Sequence, residues 1–159
     1  MTSASRFFAL LLAGAALGLG GCSGAGADGP VAESGLRLVP LTIQQGSQTH
    51  RFTVEVAATT AEQQRGLMMR TSLAPDRGMI FPFDPPKAAS FWMKDTLIPL
   101  DLLFIRADGS IDRIAENTPP ESLEPIVSGG EVAAVLELAG GSAARLGLDE
   151  SAIVRWEKP

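Results

Sequence analysis

LDLLFIRADGSIDRIAE, Leu100–Glu116, is the stretch that decides the fold class. Two strand-length segments, Leu100–Arg106 and Ser110–Glu116, flank Ala107-Asp108-Gly109. Asp-Gly readily adopts the positive-φ turn that suits the twist of paired strands, so the stretch predicts an antiparallel hairpin. The same texture recurs outward from it. Arg51–Ala57 alternates, with Phe52, Val54 and Val56 on one side and Thr53 and Glu55 on the other. Val132–Leu138 alternates less regularly, and Ala152–Trp156 can close a sheet. Met79–Phe83 and Ser90–Met93 are apolar segments separated by Asp84-Pro85-Pro86. Arg37–Ile43 contains Pro40, which has no ladder donor and points to an edge strand. The pattern predicts a mainly β domain, a compact barrel or sandwich of antiparallel hairpins with one or two short helices. A helix over Ala61–Met69 can be capped by Thr59 with Glu62 or by Thr60 with Gln63, and Gly66 weakens it. Its faces would pair Gln64 with Met68 and Arg65 with Met69. Ser142–Leu146, ahead of Gly147, is the second helix.

The chain's 159 residues suit one domain. A net charge of −5 offers no basic footprint, so nucleic acid is not an expected partner. One Cys and one His exclude an internal disulfide and the common Cys/His zinc sites. The Cys has another use. After Met1–Arg6, the stretch Phe7–Leu19 carries no polar side chain, yet it is too short to span a bilayer as a helix of about 20 residues. Small residues and Cys22 follow, as in a processed leader. Leu19-Gly20-Gly21-Cys22 resembles a bacterial lipobox, which implies cleavage before Cys22, acylation of Cys22 and attachment to a membrane through the lipidated N-terminus. Ser23, where an Asp would retain the protein, resembles the pattern sorted to the outer membrane of Gram-negative bacteria. The expected organisation is a signal peptide (1–21), a flexible tether (22–30) of small residues and a β domain (31–159) in the cell envelope, facing the periplasm. Cleavage removes Arg6 and no acidic residue, so the mature chain is more acidic than the whole.

Residues 51–156 resemble the DUF192 family, whose biochemical function is unassigned. The resemblance is carried by Phe52-Thr53-Val54-Glu55-Val56-Ala57, by Glu62 with Arg65-Gly66-Leu67-Met68-Met69-Arg70, and by Gly78-Met79-Ile80-Phe81. It continues through Ser90-Phe91-Trp92-Met93-Lys94-Asp95-Thr96, Ile98-Pro99-Leu100-Asp101-Leu102 and Val135-Leu136-Glu137-Leu138-Ala139-Gly140-Gly141. The family more often has Asn where Asp95 stands, so an amide that donates and accepts is replaced by an acceptor-only carboxylate. The resemblance implies a β barrel or sandwich with short helical segments, and it implies no reaction.

Phe91–Thr96 holds the most chemistry. Extended, it would send Trp92 and Lys94 to one face and Phe91, Met93 and Asp95 to the other. A pocket would use Trp92 as a platform and Lys94 as an anion contact, with Arg65 or Arg70 brought over from the first helix and Met68, Met93 and Thr96 in support. The competing reading packs Trp92 on the core and pairs Lys94 with a carboxylate. Copper on Met68, Met69, Met79 and Met93 has no regular spacing behind it, and Met commonly fills cores. His50 is expected on an exposed loop. Asp95, Asp101 and Glu137 are candidate paired carboxylates for a hydrolase, though Asp101 can equally brace a turn, and Glu137 needs partners if turned inward. No P-loop, dinucleotide fingerprint or Ser elbow is present, so no cofactor and no catalytic residue is assigned. The preferred reading is an envelope lipoprotein that binds a small molecule or an envelope partner near Arg65, Arg70, Trp92, Lys94 and Asp95; a carboxylate-dependent hydrolase and a purely structural envelope module are the alternatives.

Overall fold

A computed structural model describes Pro30 and residues 32–157. The leader, Cys22 and most of the tether lie outside the described residues. The described chain runs β1 (Leu38–Gln45), β2 (Gln48–Val56), α1 (Thr60–Arg65), β3 (Arg77–Phe91), β4 (Leu100–Ile105), β5 (Ile111–Thr118), β6 (Ile126–Ala139), α2 (Ser142–Leu146) and β7 (Ile153–Trp156). The strands form one seven-stranded sheet in the order β5-β4-β6-β3-β2-β1-β7. It is curled into a half-barrel, mainly β with two short helices.

The Leu100–Glu116 hairpin does more than turn the chain. Gly109, at φ +91°, sits where β7 docks: Val154 N donates to its carbonyl at 2.8 Å, and a Cβ there would fall 2.5 Å from the Val154 carbonyl oxygen. Beside it Ser110 bridges to Ile153, so the hairpin tip brings β5 and β7, the two ends of the sheet, together. Only a residue without a side chain fits that contact.

Three strand expectations change. The Asp84-Pro85-Pro86 run does not separate two strands; β3 continues through it, and the irregularity appears as register shifts against β6 between Pro82 and Lys87. β1 is flanked by β2 and β7 rather than lying at an edge; Pro40 is accommodated because β7 pairs only with Leu41–Gln44. His50 lies within β2, opposite Ile43, and is half-buried rather than on an exposed loop.

Apolar residues cover both faces of the sheet. Val54, Ile80, Leu103, Leu136 and Leu138 pack on one side with Ala143 of α2. Met79, Phe81, Leu102, Phe104 and Val135 pack on the other side with Leu67 and Met93. Asp101, fully buried, faces the first of these. Its carboxylate accepts from the backbone N–H groups of Asn117 (2.6 Å), Gly141 (3.0 Å) and Ala143 (2.7 Å). The N-cap of α2, Gly141, has no side chain to offer, and a carboxylate from β4 caps the helix from a distance. The bracing role weighed for Asp101 is the one its contacts describe.

Asp101→Asn turns an amide toward one of those N–H groups and removes a charge-assisted bond. A loss of about 2 kcal/mol is expected from urea unfolding; an unchanged midpoint would show that the brace is dispensable.

Candidate functional site

β2 and β3 are parallel, with Thr53–Val56 beside Arg77–Ile80, so the chain must cross over between them. The crossover carries α1 and lays residues 66–76 over the second face of the sheet. α1 starts at a capping box: Thr59 Oγ1 accepts from Glu62 N, while Glu62 Oε2 accepts from Thr59 N at 2.7 Å. The helix ends at Arg65, not Met69. Gly66 takes φ +47°, and a Cβ there would meet the Phe81 ring at 3.4 Å, so the break and the close approach coincide. Met68 and Met69 therefore lie beyond the helix and do not form the expected faces with Gln64 and Arg65.

Arg70 pins the crossover. Its guanidinium makes a two-pronged contact with the Glu55 carboxylate, at 2.6 and 2.7 Å, and Ser34 donates to the same group. Burial alone would raise the pKa of Glu55, but the hydrogen bonds from Arg70 and Ser34 and the charge of Arg70 outweigh it and hold Glu55 below the usual carboxylate range. Arg70 thus lines a neighbouring depression with Glu55, away from Trp92 and Lys94.

On the opposite wall β3 ends at Phe91, which corrects the extended reading of Phe91–Asp95. Lys94 and Asp95 form a turn, with Thr96 N donating to the Met93 carbonyl and Thr96 Oγ1 to the Lys94 carbonyl. Asp95 has φ +53°, a left-handed conformation that Asn and Asp tolerate better than most residues. Its carbonyl accepts from Met69 N at 2.8 Å, joining the two walls through backbone. Its exposed carboxylate lies 3.9 Å from Lys94 Nζ. The backbone conformation is one that Asp and Asn share, so it is kept whichever of the two stands here.

Between the walls opens a cleft of about 650 Å³. Arg65, Met68, Trp92, Lys94, Thr96 and Glu137 line it together, so six of the predicted residues converge. Trp92 is 52% exposed, with Lys94 Nζ 5.6 Å from its ring centroid; it is a platform at the rim and not a core residue. Asp95 stays outside the lining, and Met93 is wholly buried, its sulfur accepting from Thr118 Oγ1. Sequence reasoning missed Lys87, which lies over the Phe83 ring at 4.4 Å, and the apolar wall of Phe81, Phe83 and Phe91. The alternate spacing of Phe81 and Phe83 was a usable signal for one shared face.

Glu137 forms the floor. In β6 it lies opposite Met79 of β3 and Leu102 of β4, and Met79 in turn lies beside Glu55, so both acids share one sheet face. The Glu137 side chain is buried and its Oε2 has no hydrogen-bond partner. Burial pushes its pKa up to about 8, against the opposing charge of Arg70. At neutral pH it is chiefly a neutral acid that can donate a hydrogen bond. Asp101 lies opposite Leu138 and faces the other side of the sheet, so it cannot pair with Glu137. Glu137 is the one carboxyl among the residues lining the cleft, and the paired carboxylates of the hydrolase reading do not assemble there. Among the described residues no group of three His, Cys, Asp or Glu side chains could hold a metal ion.

The DUF192 family model, described as "Uncharacterized ACR", matches residues 41–156. The chain belongs to the DUF192 family. The match begins within β1 and runs to the end of β7. A crystal structure of a protein of unknown function from Novosphingobium aromaticivorans DSM 12444 is 45% identical, with a TM-score of 0.78 over 80% of this chain and 91% of that one. A second, described as a proposed transcription regulator from Sinorhizobium meliloti 1021, is 39% identical, with a TM-score of 0.74 over 76% of this chain and 95% of that one. No curated protein matches the chain.

Two outcomes follow for this DUF192 domain. Glu137 binds its proton more tightly folded than unfolded, so its contribution to stability is complete below about pH 4.5 and is lost as pH rises toward 8, at about 1.4 kcal/mol per unit. Urea unfolding should show Glu137→Gln gaining stability on the wild type by several kcal/mol between pH 5 and pH 8; a gap constant with pH would contradict the buried-acid assignment. Arg70→Ala leaves Glu55 without its cation and should cost about 2 kcal/mol in the same measurement, a value discounted for the partial exposure of Arg70. An Arg70→Ala variant as stable as the wild type would show that the pair does not hold the crossover.

Proposed function

We propose that this DUF192 domain is a binding module that takes a small molecule into the cleft between α1 and Lys87–Lys94, without covalent chemistry. The observation that carries the reading is the convergence of Arg65, Trp92 and Lys94 on one concave site above a buried, unpartnered carboxyl. Binding sites combine an apolar wall with a few convergent polar groups, and a buried polar atom without a partner marks a place for one. A purely structural module has no use for either feature. Regulation through nucleic acid, suggested by the description of the Sinorhizobium relative, is disfavoured by a net charge of −5.

The proposal includes the setting. Cleavage before Cys22 and its acylation would hold the domain in the cell envelope by a short tether of small residues, facing the periplasm, on the outer membrane in a Gram-negative host. A compound or envelope protein met there is the expected partner, and the concavity of the site favours the compound.

Native mass spectrometry of the mature protein purified from membranes addresses both parts. A co-purifying compound, retained by wild type and lost from folded Trp92→Ala and Lys94→Ala variants, is the expected result. Retention of every compound by both variants would refute the site. The intact mass should begin at an acylated Cys22; an unmodified chain starting at Met1 would reject the anchor.

A further inference from the structure

The charges lining the cleft are one-sided. Three cations, Arg65, Lys87 and Lys94, stand against a single carboxyl, Glu137. None of the three is committed elsewhere. Among the described residues the Arg65 guanidinium makes no hydrogen bond or ion pair, the Lys87 ammonium has only the Phe83 ring, and the Lys94 ammonium has the Trp92 ring and a loose contact with Asp95. Cations gathered at the mouth of a low-dielectric concavity concentrate anions there.

The floor selects differently. Glu137 lies opposite Met79 and Leu102 of the flanking strands and feels the charge of Arg70 from the crossover; Glu55, paired with Arg70, stands across Met79, and Arg65, Lys87 and Lys94 line the same cleft. Every other charged side chain lining the cleft is positive, and Asp95, outside the lining, is held 3.9 Å from Lys94 Nζ at the rim. A ligand cation at the floor would meet that field, whereas an acceptor oxygen would satisfy a carboxyl that donates. Between rim and floor stand Phe81 and Phe83, and the volume of about 650 Å³ suits a compact organic molecule.

Building on the binding reading above, we propose that the ligand is an amphipathic organic anion. Its apolar body sits against Phe81 and Phe83, its negative group meets Arg65, Lys87 and Lys94, and a carbonyl or hydroxyl oxygen accepts from Glu137. The anion is recognised at the rim, where its hydration is partly kept, and the acceptor at the floor, where water is excluded.

Calorimetry with three naphthalene probes tests this on the full chain carrying Cys22→Ser, which blocks acylation. The probes are 1-naphthalenesulfonate, 1-naphthylmethanol and 1-naphthylmethylammonium. The sulfonate should bind at least 10-fold more tightly than either other probe. Arg65→Ala and Lys94→Ala, both at exposed positions, should remove that preference while leaving the affinity for the alcohol within about twofold. Sulfonate affinity should fall as pH rises through about 8, when Glu137 becomes an anion, and Glu137→Gln should flatten the profile. Equal affinities, or preference for the ammonium, would overturn the anion class while leaving a binding cleft in place. Sulfonate binding unchanged in all three variants would overturn the assigned contacts, and failure of all three probes to bind would overturn the ligand class together with the cleft reading.

Discussion

One arginine serves two acids on the same face of the sheet. Glu55 and Glu137 are separated by Met79 across three adjacent strands, and Arg70 is the cation that comes down on that row from the crossover. Its guanidinium is spent on Glu55, which stays ionised. Burial keeps the proton on Glu137, and the charge of Arg70 opposes that without overcoming it. The same contact holds the crossover against the sheet beside the cleft, while burial at the floor keeps Glu137 protonated.

The rest of the architecture holds this arrangement in place. The parallel β2/β3 pair forces a crossover, and Gly78 lets β3 approach β6 closely: a Cβ at that position would lie 2.5 Å from the carbonyl oxygen of Glu137. The strand that carries Glu137 is therefore fixed on the β3 side by a contact that admits no side chain. On its other side β4 turns Leu102 toward the cleft face and Asp101 toward α2, so alternate residues of one strand serve the site and the brace. One backbone hydrogen bond, from Met69 N to the Asp95 carbonyl, then links the two walls.

Much of this was legible in the sequence where local chemistry decides. The Asp108-Gly109 turn, a cap at Thr59 or Thr60, the α2 span and the nearness of Trp92 to Lys94 follow from residue types and short spacings, whereas choosing Arg65 over Arg70 as their neighbour needed the fold. The length of α1 did not, because a glycine can either continue a helix or leave it, and only the structure shows Gly66 leaving it at φ +47°, beside the Phe81 ring of a distant strand. The continuity of β3 was hidden because proline suggests a break, while pairing with β6 on either side of the register shift carries the strand through. Most of all, nothing local separates Glu137 from Asp101. Both stand among apolar residues, and only the register of β4 and β6 sends one to a cleft and the other to three backbone N–H groups. Arg70 reads as a ligand contact for the same reason: its partner, Glu55, is 15 positions away.

The most direct measurement is a ¹³C carboxyl NMR titration that resolves Glu137 in the folded protein. A midpoint near 8 is expected for an acid buried at the floor of the cleft. A midpoint in the ordinary glutamate range, near 4.5, would mean that the carboxyl is solvated or fully paired, and would contradict a protonated donor at the base of the site.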